Sequence, residues 1–192
     1  MPVIHEFDPP ERFVAGTVGE PGARAFFLQA RTGVRVVTIS LEKQQVAVLA
    51  ERLDELLDEI MASTEQSTLI PAVAPVALAD AEPLEQPITE EFRAGTMTLS
   101  WDPQPGRVVI EVFPYAEIAV PESEDVVPED LVEPEAEEVF RVRIEAGHAR
   151  AFVQRAEQVV GAGRPDCPFC GGPLDPEGHL CPRANGFRRR DP

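Results

Sequence analysis

Twice along this chain the spacing of apolar residues changes from every second position to every third or fourth, and that change limits the folds open to it. Three short alternating runs come first, Arg12–Val18, Ala25–Ala30 and Val34–Ser40. Pro21-Gly22 and Thr32-Gly33 punctuate them as turns, the grammar of an antiparallel meander. Val46, Leu49, Leu53, Leu56, Leu57 and Ile60 then recur as the stripe of an amphipathic helix over Leu41–Met61. Ser40 is placed to cap it, and Glu51, Asp54, Glu55 and Asp58 fall on its solvent side.

Residues 64–90 break the pattern with Pro71, Pro75, Pro83 and Pro87 among Ala, Glu and Val, so they read as a connector with little regular structure. The second half repeats the first. Glu91–Trp101 and Arg107–Pro114 are strand-like around Asp102-Pro-Gln-Pro-Gly106, Val139–Glu145 alternates, and Gly147–Val160 reads as a helix. Phe13-Val-Ala-Gly16-Thr17 and Phe92-Arg-Ala-Gly95-Thr96 align at the start of the two halves. The expected fold is α+β: a mainly antiparallel sheet from two βββα repeats, two helices on one face, and a short C-terminal zinc knuckle. A lone three-stranded unit cannot cover its apolar face, whereas two sharing a sheet can. The expected divisions are 1–63, the connector 64–90, 91–163 with an acidic insert at 121–138, and a metal-binding tail at 164–192.

At 43% hydrophobic, the chain has material for a core, which excludes disorder throughout. A net charge of −17 argues against general nucleic-acid binding, which runs on counterion release to Lys and Arg. The insert 121–138 holds nine acids and no base, in no spacing that builds a calcium loop, and reads as a solvated loop. No stretch approaches the roughly 20 apolar residues of a membrane span. The first residues lack the basic start and apolar run of a signal peptide, so the cytoplasm is the expected location.

Cys167-Pro-Phe-Cys170 is followed after eight residues by His179-Leu-Cys181, and these three cysteines are all the chain has. Two thiolates two residues apart, then His-x-Cys, make a full set of soft or borderline ligands for one tetrahedral zinc. Cys-Pro-x-Cys-Gly bends into a knuckle whose backbone N–H groups can point at sulfur. His179 and Cys181 share a face of an extended segment, so both reach one ion. Four protein ligands leave no position for a substrate water, which makes the expected zinc structural. A thioredoxin-like pair would need a βαβ context, and an iron–sulfur cluster usually needs a fourth cysteine.

Arginines supply the other candidate site. Arg12, Arg31 and Arg35 of the body, with Arg183 and Arg188 of the tail, could hold a small phosphorylated ligand if they converge. The tail's Arg164, Arg189 and Arg190 add to a small cationic surface that the acidic body can also neutralise. His5-Glu6 lacks the second histidine of a metalloprotease, and His148 reads as a first-turn helix residue. No catalytic set presents itself.

Taken together, Phe7-Asp-Pro-Pro-Glu-Arg-Phe-Val-Ala-Gly-Thr-Val-Gly19, Phe26-Phe-Leu-Gln-Ala-Arg31, Leu41-Glu-Lys-Gln-Gln-Val46 and the Cys-Pro-Phe-Cys…Gly-His-Leu-Cys-Pro-Arg-Ala-Asn-Gly ending resemble an actinobacterial family catalogued as DUF3090, a domain of unknown function. The resemblance runs along the whole chain and implies no activity. It implies genomic neighbours that are phosphatase-like and kinase-like, hence a protein partner in a shared pathway. The expected function is a non-enzymatic cytoplasmic binding or adaptor protein with a structural zinc site. An enzyme or regulator handling a phosphorylated ligand is the alternative.

Overall fold

The computed structural model describes residues 2–63, 70–116, 138–163 and 167–172, with positions 174, 179, 181 and 183. Its strands are β1 (Val3–Phe7), β2 (Arg12–Val18), β3 (Ala25–Thr32), β4 (Arg35–Leu41), β5 (Glu90–Asp102), β6 (Arg107–Pro114) and β7 (Glu138–Glu145). Helix α1 (Lys43–Ala62) follows β4 and α2 (Ala146–Gly161) follows β7. Among the described residues the connector holds one 3₁₀ turn, Val76–Leu78. All seven strands form one sheet in the order β1-β7-β6-β5-β4-β3-β2.

The class is α+β, but the sheet is mixed where a mainly antiparallel one was expected. Within each half the strands pair antiparallel, β2–β3–β4 and β5–β6–β7. The two halves join through a parallel pairing of β4 with β5. Parallel neighbours need a crossover, and α1 with the connector supplies it by returning along the sheet before β5 begins. The second parallel pairing comes from β1 beside β7, with Val3 opposite Glu138 and Phe7 opposite Val142. Val3-Ile-His-Glu-Phe7 is too short a run for its alternation to have announced a strand. The helix start moves as well. Ser40 and Leu41 are committed to the ladder with Phe27 and Phe26, so α1 begins later, and Gln45 Oε1 accepts the Glu42 N–H at 2.8 Å.

One face of the sheet carries the core. Leu28, Ile39, Val108, Ile110, Val112, Phe140 and Val142 are fully or almost fully buried there against Val46, Leu49, Leu53 and Leu57 of α1 and Phe152 and Val153 of α2. Leu56 and Ile60 only half-bury at the margin of this core, and Leu57 takes the central place. Although β2 lies at the far end of the strand order from β1 and β7, the Phe13 ring lies 6.3 Å from Phe140 and stacks on Phe152 at 4.6 Å. The sheet is therefore strongly curled and its two ends approach each other. Both edges are capped by arginine: Arg155 Nε donates to the Ala15 carbonyl at 2.7 Å, and Arg35 Nη1 to that of Glu6 at 2.9 Å. Each donation occupies a backbone acceptor that could otherwise template another strand.

The opposite face differs between halves. Over the first half, connector residues Leu84 and Ile88 pack on Val14 and Phe27. Buried Gln29 bonds Thr38 and both backbone groups of Glu85. Leu84 sits so close to β2 that a Cβ on Gly16 would lie 2.5 Å from its Cγ. Over the second half the face carries paired charges, with Arg141 on Glu111 and Arg143 on Asp102.

Candidate metal centre

The end of α2 starts the approach to the metal ligands, and Arg24 Nη1 anchors it by donating to the Ala162 carbonyl at 2.7 Å. Beyond it the chain turns back on itself. Cys167 N donates to Gly172 O at 2.7 Å and Gly171 N to Cys167 O at 2.8 Å, closing a tight loop. Gly171 adopts φ +71°, which a side chain would oppose. The Phe169 N–H points at Cys167 Sγ, 3.5 Å away, as expected where a thiolate is stabilised by backbone.

His179 and Cys181 come to this loop from the other side. One ligand atom from each of Cys167, Cys170, His179 and Cys181 lies within 4.8 Å of the others, so the cluster could hold a metal ion. All three cysteines are free thiols. The Cys167–Cys181 sulfur separation is 3.8 Å, far beyond a disulfide bond of about 2.0 Å. It matches the edge of a tetrahedron with metal–sulfur bonds of about 2.3 Å, roughly 3.8 Å. His179 presents Nε2, 3.2 Å from Cys170 Sγ, while its buried Nδ1 has no hydrogen-bond partner among the described residues.

Without a cation the thiols compete for protons. Burial pushes Cys167 up, but the backbone N–H groups of Phe169 and Cys170 and the adjacent thiols outweigh it, and Cys167 ends below its ordinary value. Cys170 moves the other way. The Gly172 backbone favours its thiolate, yet burial and the neighbouring Cys181 and Cys167 leave it raised. A divalent cation at the centre removes the conflict by stabilising every thiolate at once.

Of the candidate arginines the structure brings Arg12 and Arg31 together, opposite each other on β2 and β3 with Glu85 near both, while Arg35 and Arg183 have other partners. Arg12 forms a two-pronged pair with Asp80, its Nε 2.6 Å from Oδ2, and also holds the carbonyls of Glu82 and Pro83. Arg31 is divided between Glu11 at 2.7 Å and Glu85 at 2.6 Å. Arg35 covers the Phe7 ring, 4.6 Å from its centroid. Arg183 belongs to the metal loop, donating to Phe169 O at 3.1 Å. Arg188 lies outside the described residues, as does the acidic insert apart from Glu138.

Sequence reasoning missed Arg155 and Arg150 of α2. Arg155 is buried and reaches Ala15 O, Asp80 O, Asp80 Oδ1 and Glu82 O, all within 2.7 Å. Burial pushes its guanidinium below the usual arginine value and the neighbouring Arg12 adds to that, with Asp80 opposing both. Asp80 responds in kind: its hydrogen bond from Arg12 holds its carboxyl below the ordinary range against the effect of burial. Arg150 ties Asp54 and Asp58 of α1 to the carbonyl of Pro71. The available signal was the small residues Ala149 and Ala156 on the inner face of α2, which leave room for long stems beside them.

The family model described as "Protein of unknown function (DUF3090)" matches residues 5–181. The chain belongs to this family. That match takes in all of the sheet from His5 onward, both helices and all four residues of the Cys/His cluster. No curated protein and no solved structure matches the chain.

Proposed function

We propose that this DUF3090 member is a non-enzymatic binding protein of the cytoplasm, with one structural zinc ion holding its C-terminal segment in shape for a protein partner. The observation that carries this is the four-ligand cluster, Cys167, Cys170, His179 and Cys181, with its atoms within 4.8 Å of one another. Three sulfurs and an imidazole as donors suit zinc, whereas hard cations prefer oxygen. Four protein ligands leave the ion no open position for chemistry.

What such an ion would fix is a loop that exposes Phe169 to solvent beside Arg183. A rigid aromatic next to a guanidinium is the kind of pair that anchors protein interfaces. The net charge of −17 weighs against nucleic acid as the partner, and the reduced thiols suit the cytoplasm. The phosphatase-like and kinase-like proteins that the family resemblance implies are the partners to try first. Handling of a phosphorylated ligand through Arg12, Arg31, Arg35, Arg183 and Arg188 draws no support from their placement, since the described four are spent on carboxylates, carbonyls or a ring.

The test is elemental analysis of full-length protein purified without added metal, followed by native co-purification with wild type and Cys170→Ser. One zinc per chain, and a partner retained by wild type and lost from the variant, is expected. A metal-free protein, or a partner set indifferent to the substitution, contradicts the proposal.

A further inference from the structure

Nine consecutive connector residues, Pro71-Ala-Val-Ala-Pro-Val-Ala-Leu-Ala79, carry no charge, on a chain in which 27% of residues are charged. The fold does not bury them. Val76 is 91% exposed and Val73 75%, and Ala72, Ala77 and Ala79 are exposed beside them. Among the described residues only Val34, between Gly33 and Arg35 at the β3–β4 turn, is a more exposed large apolar side chain. One such residue is ordinary on a protein surface, whereas a contiguous run marks a contact site.

The segment is held in place. Ile70 enters the core just before it, and Arg150 Nε donates to the Pro71 carbonyl at 3.1 Å. Pro75 and Leu78 lie against the start of α2, where a Cβ on Gly147 would meet them at 3.4 and 3.3 Å. The Leu78 N–H closes the 3₁₀ turn on the Pro75 carbonyl at 2.9 Å, and Arg12 and Arg155 clamp Asp80 just beyond it. Val73 and Val76 therefore stand on a fixed ridge, which lowers the ordering cost of an encounter.

The surroundings of the ridge say what fits it. Each ion pair that anchors it keeps the arginine inside and turns the carboxylate outward. The Arg150 side chain is 5% exposed, against 44% for Asp54 and 60% for Asp58. Arg12 and Arg155 are likewise more buried than Asp80, and Glu82 is exposed. The charge offered to solvent around the apolar residues is thus negative. A second copy would bring the same acids and its own net charge of −17, and a nucleic acid or an anionic lipid surface would be repelled. Side chains this exposed also protrude, so the complementary shape is concave.

We propose that residues 71–79 dock into a groove of a protein partner, apolar at its floor and lined at its rim by lysine or arginine. Val73 and Val76 fill the floor, and Asp54, Asp58 and Glu82 meet the rim. Apolar contact supplies affinity, and the charges set orientation and rate of encounter. The ridge is built without any of the four candidate metal ligands, so this surface is separate from the one at Phe169 and Arg183.

The test places the photocrosslinker p-benzoylphenylalanine at Val76 of the full chain in its native cells and identifies the crosslinked protein by mass spectrometry. The purified partner is then measured by titration calorimetry. The crosslinked peptide should be apolar and flanked by lysine or arginine, and binding should weaken with added salt. Val76→Asp keeps the backbone bond that the residue accepts from the Ala79 N–H, and should weaken binding about tenfold or more with an unchanged melting transition. Cys170→Ser should bind as wild type does. Sedimentation equilibrium of the chain alone, and flotation with vesicles of phosphatidylglycerol and phosphatidylcholine, should show neither self-association nor lipid binding that Val76→Asp removes. No crosslink from position 76, a crosslink to a second copy, vesicle binding lost in Val76→Asp, or partner binding unchanged by Val76→Asp or abolished by Cys170→Ser would each overturn the proposal.

Discussion

Two sets of described residues have almost no regular structure, the connector at 70–89 and the candidate metal loop at 167–172 with positions 174, 179, 181 and 183, and they are held in opposite ways. The connector borrows everything from the body. Ile70 enters the main core, Leu84 packs on Gly16 and Val14, and Asp80 ties Arg12 of β2 to Arg155 of α2. The candidate metal loop is tied within itself by backbone bonds, and its cysteines and histidine form a cluster that could hold a metal ion. Irregular backbone thus has two routes to order, burial against a neighbour or local cross-linking. Damage to the first should spread into the fold, and damage to the second should stay local.

The largest expected effect is at Asp80. Asp80→Ala leaves two mostly buried guanidiniums facing each other without their shared carboxylate, a class of change that costs about 3–5 kcal/mol. Denaturant melts should show global destabilisation of that order. A loss below about 1 kcal/mol would mean that the connector is not integral to the body. In the core, Leu53→Ala should cost about 2–5 kcal/mol by opening a cavity at a fully buried site under the sheet, checked by the same melts.

A pH series refines the point about Asp80. Its carboxyl is held low in the folded state, so its contribution is present above the unfolded carboxylate value and is lost as pH falls through the folded one. The stability difference between wild type and Asp80→Asn should therefore be constant from about pH 6 to 8 and shrink below about pH 4. A difference that vanished already near pH 6 would assign it to a histidine. The smallest effect should come from deleting the acidic insert 121–137, because changing a loop's length alters closure by only ~0.6 kcal/mol per doubling.

Both meanders and both helices were legible because apolar period is a local property, and Arg12–Val18 and Arg107–Pro114 match the observed strands to the residue. The clustering of Cys167, Cys170, His179 and Cys181 was legible because cysteine and histidine at that spacing serve few other purposes. The parallel joins were not, since direction across β4–β5 is set by where the crossover returns the chain, which no run of residues encodes. The connector's lack of regular structure was legible, but its anchoring to the body was not, for a related reason. Its composition is that of a loop, and its order depends on Asp80 meeting Arg12 and Arg155, 68 and 75 positions away. The same pairings explain why arginines that looked available for a ligand are already engaged.

The contrast between a borrowed and a self-contained segment turns on the metal loop. The decisive measurement is chelator titration of the full chain, following zinc release with a chromogenic dye, far-UV circular dichroism, and proteolysis at sites after Gly163. Release of one zinc per chain, with rapid cleavage of the tail and an unchanged spectrum and melting transition for the body, is the predicted result. Release of no zinc, or collapse of the whole fold when zinc leaves, would contradict it.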